Sequence, residues 1–129
     1  MAAFAVTLIV LLGVLGRGSG DLAGADGTPA PAAPRVQAKI EVLEQAIRER
    51  PQEAEPLVLL AAELLQSFRQ TADPSAYTRA DEAIARAIEL EPRNAAVYTE
   101  RGILRLARHD YAGALSDGRR ARRLAPEVI

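Results

Sequence analysis

Hydrophobic residues recur at helical spacing through most of the chain after position 35. In the first such stretch, four of them are separated by four, three and four positions and so share one helix face: Val36, Ile40, Leu43 and Ile47. Arginines at the end of the stretch suit the carboxyl end of a helix dipole, and a proline at position 51 stops the helix. The pattern predicts a helix over residues 36–50.

Four more helices follow from the same kind of pattern. The second carries the apolar stripe Leu57, Leu60, Ala61, Leu64 and Phe68. The third is predicted from about residue 75 to 91, before a proline at position 92. Asn94 and Asp110 are suitable N-caps for a fourth helix over residues 95–107 and a fifth that ends near residue 124.

The first 25 residues have a different pattern. Residues 2–16 form an uncharged apolar run of 15 positions, which is short for a membrane helix of roughly 20 residues and typical of the apolar part of a signal peptide. Ala23-Gly24-Ala25 is a possible signal-peptidase site, although no lysine or arginine precedes the run. We predict that residues 1–25 are a signal peptide or a retained membrane anchor. The protein is then periplasmic, extracellular or anchored facing away from the cytoplasm, in a bacterial-type envelope.

Residues 26–35 are rich in proline, alanine and glycine. Prolines at positions 29, 31 and 34 remove helix donors, and few apolar side chains are present to offset the entropy of ordering. We predict a linker here and a single helical domain over residues 36–129.

The predicted helices repeat one another. The set Tyr77, Ala80, Ala87, Leu90 and Pro92 recurs 34 residues later as Tyr111, Ala114, Ala121, Leu124 and Pro126. At an offset of 41, Leu57 and Ala61 align with Tyr98 and Gly102, and Leu43 aligns with Ile84.

A 34-residue helix–turn–helix period with an aromatic residue at Tyr98, small residues at Gly102, Ala114 and Ala121, and a terminal Pro126 resembles the tetratricopeptide repeat (TPR) family. The resemblance implies an all-α fold, a short right-handed solenoid of about five helices. It also implies a protein–protein interaction module, a scaffold or assembly factor that binds a peptide or helix of a partner. An accessory chaperone-like subunit of an enzyme system, such as cytochrome c maturation, is the alternative function. A further alternative is that the chain is a fragment of a longer TPR array.

Three features depart from the family pattern. Arg101 and Arg105 stand where apolar residues are common, and Gly118 stands where a bulky one is common, so we expect the last helix pair to be under-packed. Seven extra residues separate the helices of the middle unit, and we place them in a loop over residues 69–75. The last pair has no capping helix in this sequence, so either another molecule covers its outer face or the chain is part of a longer array.

Composition narrows the chemistry. The 129 residues include no cysteine, which excludes disulfides and thiolate metal sites. The single histidine leaves too few nitrogen ligands for most zinc sites. His109 precedes Asp110, but without a nucleophile motif nearby we interpret it as a solvated turn residue. We interpret acidic neighbours such as Asp81 and Glu82 as solvated surface, because adjacent helix positions diverge. We predict no catalytic residue, cofactor or metal, and no enzyme activity.

The charge is uneven although the net charge is −1. Residues 101–129 hold seven arginines against three carboxylates, with a basic cluster of Arg119, Arg120, Arg122 and Arg123. Without aromatic residues for stacking, the cluster does not favour nucleic acid. It either contacts an acidic partner or anionic membrane, or simply places cations at a helix end.

In the family, the first helix of each pair lines a groove that holds peptides or helices. By alignment, the groove positions here are Val58, Ala62, Leu65, Thr99, Ile103 and Leu106. The lysine and asparagine that grip a chain-terminal carboxylate in some members are absent from them, so an apolar helix or peptide is the better ligand. Self-association through this face, or its packing within the domain, is the alternative.

Overall fold

The structure is a computed structural model that describes residues 31–128. The predicted signal or anchor segment, residues 1–25, and the first half of the predicted linker lie outside the described residues. None of the described helices has the length and apolarity needed to cross a membrane.

Five α-helices and a short terminal 3-10 turn make up the described residues, which contain no strand. This confirms the all-α class. The helices are α1 (Ala32–Glu49), α2 (Ala54–Thr71), α3 (Pro74–Leu90), α4 (Ala95–Ala107) and α5 (Tyr111–Leu124), and the turn is Pro126–Val128.

α1 begins at Ala32, four residues before the predicted start at residue 36, so positions 32–35 belong to the helix and not to the linker. Pro34 lies in the first turn of α1. Backbone N–H groups in a first turn have no partner within the helix, so proline costs little there. The boundary between linker and helix therefore lies near residue 31.

The N-caps predicted at Asn94 and Asp110 are confirmed. The Asn94 side chain accepts a hydrogen bond from the backbone of Ala96, and Asp110 accepts one from the backbone of Gly113, each at 2.9 Å. A further cap, Asp73, was not predicted. Its carboxylate accepts from the backbone of Ser75 at 2.9 Å, and a proline occupies the first position of α3.

The prediction of a loop over residues 69–75 is wrong. Only Ala72 and Asp73 lie between α2 and α3. Ala72 adopts a left-handed conformation with φ of 56°, which reverses the chain at once, and Asp73 then caps the next helix. The extra residues therefore lengthen α2 and α3 instead of forming a loop.

The core runs through four of the five helices. α2 packs against α1, α3 and α4, and α5 packs against α4. Along the first hairpin, α2/α3, large residues of α2 face small residues of α3: Leu57, Leu60 and Leu64 against Ala76, Ala80, Ala83 and Ala87, all buried. Small side chains on one helix let the two axes approach closely. Val97 and Leu104 of α4 continue this core.

The second hairpin, α4/α5, is also close-packed. A Cβ added at Gly102 would lie 3.5 Å from the carbonyl oxygen of Ala114 and 3.6 Å from Cβ of Asp117. These are ordinary van der Waals distances, so alanine fits at this position as well. Gly118 is different, because an added Cβ there would meet no atom within 4 Å. The missing bulk at Gly118 is thus open surface rather than a void inside the hairpin.

Candidate functional site

The six predicted groove residues differ in their exposure. Thr99, Ile103 and Leu106 are exposed on α4, and Val58 and Ala62 are half-buried on α2. Leu106 is 50% exposed and Ile103 is 36% exposed. The accessible part of the set is therefore concentrated on α4.

Leu65 is a core residue and not a groove residue. Its side chain is 1% exposed and belongs to the same buried cluster as Val97 and Leu104 of α4. The alignment at an offset of 41 makes Leu65 equivalent to Leu106, which is half exposed. The two leucines differ because α4 packs against α2, whereas no described helix occupies the equivalent place beside α4.

The surface around Ala62 is not purely apolar. Ala62 lines an open cleft of about 430 Å³ between α1 and α2, together with Arg35, Lys39, Glu63 and two glutamines of α2. Lys39 and Glu63 form an ion pair of 3.1 Å across this cleft. Charged groups thus lie beside the α2 part of the predicted groove, and the uncharged part is on α4.

An ion cluster lies at the centre of the second hairpin. Asp117 of α5 is 1% exposed. Arg101 grips it through two hydrogen bonds, Nε to Oδ2 at 2.9 Å and Nη2 to Oδ1 at 2.6 Å. Arg105 adds an ion pair from Nη1 to Oδ2 at 2.8 Å and donates to the carbonyl of Gly113 at 3.1 Å. We call Arg101, Arg105 and Asp117 the ionic triad.

The ionic triad corrects the expectation that Arg101 and Arg105 leave the last pair under-packed. Their charged ends and the carboxylate occupy the centre of α4/α5, and no buried side-chain nitrogen or oxygen in the described residues lacks a partner. Hydrogen bonding to Asp117 raises the pKa of the Arg101 guanidinium, so it stays charged. Asp117 is not predictable as a buried residue, because nothing in the local sequence pattern marks it as different from a solvated aspartate.

Arg120 is exposed, and its guanidinium packs against the second hairpin. Its guanidinium carbon lies 4.4 Å from the centroid of the Tyr98 ring, and that of Arg101 lies 5.3 Å from the same centroid. The Tyr98 side chain is buried, and its hydroxyl donates to the carbonyl of Pro92 at 2.7 Å. Such cation–π contacts fix the two arginines against the ring.

All four arginines of the predicted basic cluster are exposed. Arg119, Arg122 and Arg123 project from α5, and no carboxylate of the described residues lies within ion-pair distance of them. The cluster therefore divides into one arginine that contacts the Tyr98 ring and three with no ion pair or cation–π contact among the described residues.

Comparison with protein-family models gives no match, and comparison with curated proteins gives none.

His109 is held in the turn between α4 and α5. It has a left-handed φ of 61°, and its Nδ1 lies 2.9 Å from the hydroxyl of Tyr111. Its backbone N–H donates to the carbonyl of Leu106, and that of Asp110 donates to the carbonyl of Arg105. This pair of hydrogen bonds is a Schellman motif. His109 thus ends α4, and in the described residues no cluster of three or more histidine, aspartate or glutamate side chains could hold a metal.

Glu100 lies at the junction of the two hairpins. It is half-buried on α4, and burial raises the pKa of its carboxyl group by more than the nearby charge of Arg69 of α2 lowers it. Tyr77 of α3 reaches across the same junction, and its hydroxyl donates to the carbonyl of Leu104 at 3.0 Å. That carbonyl lies in the last turn of α4, where partners within the helix are lacking. The junction is therefore joined by polar contacts as well as apolar ones.

Proposed function

We propose that this chain is a protein–protein interaction module, a TPR-like scaffold or assembly factor that is exported or membrane-anchored and binds a helix or peptide of a partner. The observation that supports it best is the repeated hairpin. α2/α3 and α4/α5 carry equivalent residues at offsets of 41 and 34, and their first helices lie side by side. Export or anchoring rests on the sequence of residues 1–25 alone.

The binding surface in this proposal is the exposed part of the predicted groove on α4. Thr99, Ile103 and Leu106 are uncharged and accessible there. An uncharged, mostly apolar surface matches the apolar side of a helix or a hydrophobic peptide, because burying such side chains together removes both from water. Val58 and Ala62 extend the surface onto α2.

Site-specific crosslinking in the native host tests this proposal. A photoreactive amino acid at position 103 should form a discrete adduct with one partner protein, identified by mass spectrometry. The same amino acid at position 89, exposed on α3 away from the groove, is the matched control. Equal adducts from both positions, or none from position 103, would contradict the proposal.

Substitution gives a second test of the same surface. In a chain without the photoreactive residue, Ile103→Lys should reduce co-purification of the partner identified by crosslinking about tenfold, since it buries a charge against apolar groups. Arg119→Ala is the control, because Arg120 is engaged with Tyr98 and its replacement would disturb the hairpin. Circular dichroism should show unchanged helix content for both variants. Unfolding by Ile103→Lys would place Ile103 in the core and contradict a binding role.

A further inference from the structure

The second hairpin, α4/α5, carries most of the exposed large apolar side chains of the described residues. Six such residues are exposed, and four belong to α4 and α5: Ile103, Leu106, Tyr111 and Leu115. Tyr111 is 63% exposed and Leu115 is 55% exposed. On α5, Tyr111, Leu115, Gly118 and Arg122 follow one another at spacings of four, three and four, so they form one stripe along the helix.

The first hairpin shows what an equivalent stripe does in this protein. At the offset of 34, the α5 stripe corresponds to Tyr77, Asp81, Ile84 and Ile88 of α3. Ile84 is fully buried, and the hydroxyl of Tyr77 bonds to the backbone of α4. Leu65, the equivalent of Leu106, is buried in the same core as α4. One whole helix, α4, thus packs against the face of α2/α3 that is equivalent to the open face of α4/α5, although Asp81, the equivalent of Leu115, stays exposed there.

The open face differs from its covered equivalent in charge and in shape. Arg122 replaces Ile88, and Arg119 lies beside the stripe. Gly118 replaces Ile84 and leaves open space above the helix. Like charges disfavour pairing of two such faces with each other, whereas carboxylates on an incoming helix would match the arginines.

We propose that this end face, defined by Leu106, Tyr111, Leu115, Gly118 and Arg122, binds an acidic amphipathic α-helix in the way that α2/α3 binds α4. α4 begins next to the end of α3, only four residues after it. A helix docked in the same orientation would therefore place its first turn beside Arg122. Acidic residues in that turn would be stabilised by the charge of Arg122 and also by the positive end of the helix dipole. The space at Gly118 accepts one bulky side chain of the docked helix.

This inference goes beyond the proposed groove, because the stripe on α5 contains none of the groove residues. Leu106 of α4 is the one residue common to the groove and the end face. A test directed at Arg122, Leu115 and Gly118 can therefore fail while the groove proposal stands, and the reverse also holds.

The probe is a fluorescein-labelled peptide with the sequence of residues 53–71 and the changes Gln66→Glu and Gln70→Lys, whose side chains are joined in a lactam bridge that holds the peptide helical. It has an apolar face, and Glu53 and Glu55 stand at its amino end. Fluorescence anisotropy with the full-length chain should show saturable binding. Arg122→Glu should weaken it about tenfold, and Gly118→Trp should weaken it by filling the open space. Arg123→Glu, off the stripe, is the matched control and should change affinity less.

Charge reversal makes the test specific. A peptide carrying Glu53→Lys and Glu55→Lys should bind the unmodified chain poorly and regain affinity for the Arg122→Glu variant. Absence of saturable binding, or equal effects of Arg122→Glu and Arg123→Glu, would overturn the proposal. So would dependence on Arg122 seen only with phosphatidylglycerol vesicles, or self-association that Leu115→Lys abolishes, since the occupant would then be a membrane or a second copy.

Discussion

The two hairpins place different chemistry on equivalent positions. In α2/α3, the facing residues Leu60, Leu64 and Ala83 are apolar and buried. In α4/α5, the same positions hold the ionic triad, Arg101, Arg105 and Asp117. Both hairpins keep close helix pairing, so the backbone arrangement does not depend on an apolar centre. What it requires is that large groups on the first helix meet a small or oppositely charged group on the second.

The largest expected effect is the loss of the carboxylate. Asp117→Ala should lower the free energy of unfolding by about 3 kcal/mol, because it removes the carboxylate shared by two partly buried guanidinium groups. Arg101 then has no ion-pair partner in the described residues, and Arg105 keeps only the exposed Asp110 at 3.8 Å. The arginine side chains are 26% and 33% exposed, which puts the cost at the low end for buried charges. Urea unfolding monitored by circular dichroism measures this change in the free energy of unfolding. A cost no greater than that of Ser116→Ala, on the exposed side of α5, would show that the triad is not structural.

Restoring the chemistry of the first hairpin sharpens the same comparison. The triple variant Arg101→Leu, Arg105→Leu and Asp117→Ala reproduces Leu60, Leu64 and Ala83 at the equivalent positions. It should recover the stability lost in Asp117→Ala and exceed the unmodified protein by about 1–4 kcal/mol, since buried ion clusters are often less stabilising than apolar packing. A triple variant as unstable as Asp117→Ala would mean that the hairpins are not equivalent in geometry.

The turns of the two hairpins allow a smaller test. Ala72 and His109 both have a positive φ, which L-residues other than glycine adopt at a cost. Ala72→Gly should stabilise the protein by about 0.5–1 kcal/mol after the greater entropy of glycine in the unfolded chain is counted. His109→Gly should gain less, because it also loses the contact with the Tyr111 hydroxyl. Thermal unfolding measures the stability of both variants. His109→Ala is the control, because it loses the contact with Tyr111 but keeps the strained φ. Destabilisation by Ala72→Gly would contradict this prediction.

The smallest expected effect concerns the junction between the hairpins. Burial raises the pKa of Glu100, so the folded state favours its protonated form and loses that advantage as the pH rises through the raised pKa. Glu100→Gln should therefore stabilise the protein at pH 7 and change little at pH 3.5, where the carboxyl is protonated in both states. Unfolding free energies at the two pH values test this. Glu89→Gln, on the exposed face of α3, should show no such difference.

Local signals in the sequence predicted the helices well. The limits of α4 follow from Asn94 and the end of the apolar pattern, and those of α5 from Asp110 and Pro126. These features act within a few residues, so one sequence suffices to recognise them. The tip of the first hairpin was mispredicted because Ala72 adopts a conformation for which glycine is the usual signal.

Features that depend on neighbours across the fold could not be predicted from the sequence alone. Leu65 and Leu106 occupy equivalent positions, and only the presence of α4 beside α2 separates a core residue from a surface residue. Similarly, Asp117 looks like a solvated aspartate until Arg101 and Arg105 are placed opposite it. Alignment of repeats predicts position within a unit, but not what covers that unit.

The ionic triad also bears on how similar helices find their proper partners while the chain folds. In a chain of related hairpins, a helix that pairs with the wrong neighbour is a characteristic route to misfolding. If α4 took the place of α2 against α3, Arg101 and Arg105 would lie over Ala83, a position that has no carboxylate. Burying unmatched charge makes that pairing costly, so a single aspartate identifies α5 as the partner of α4.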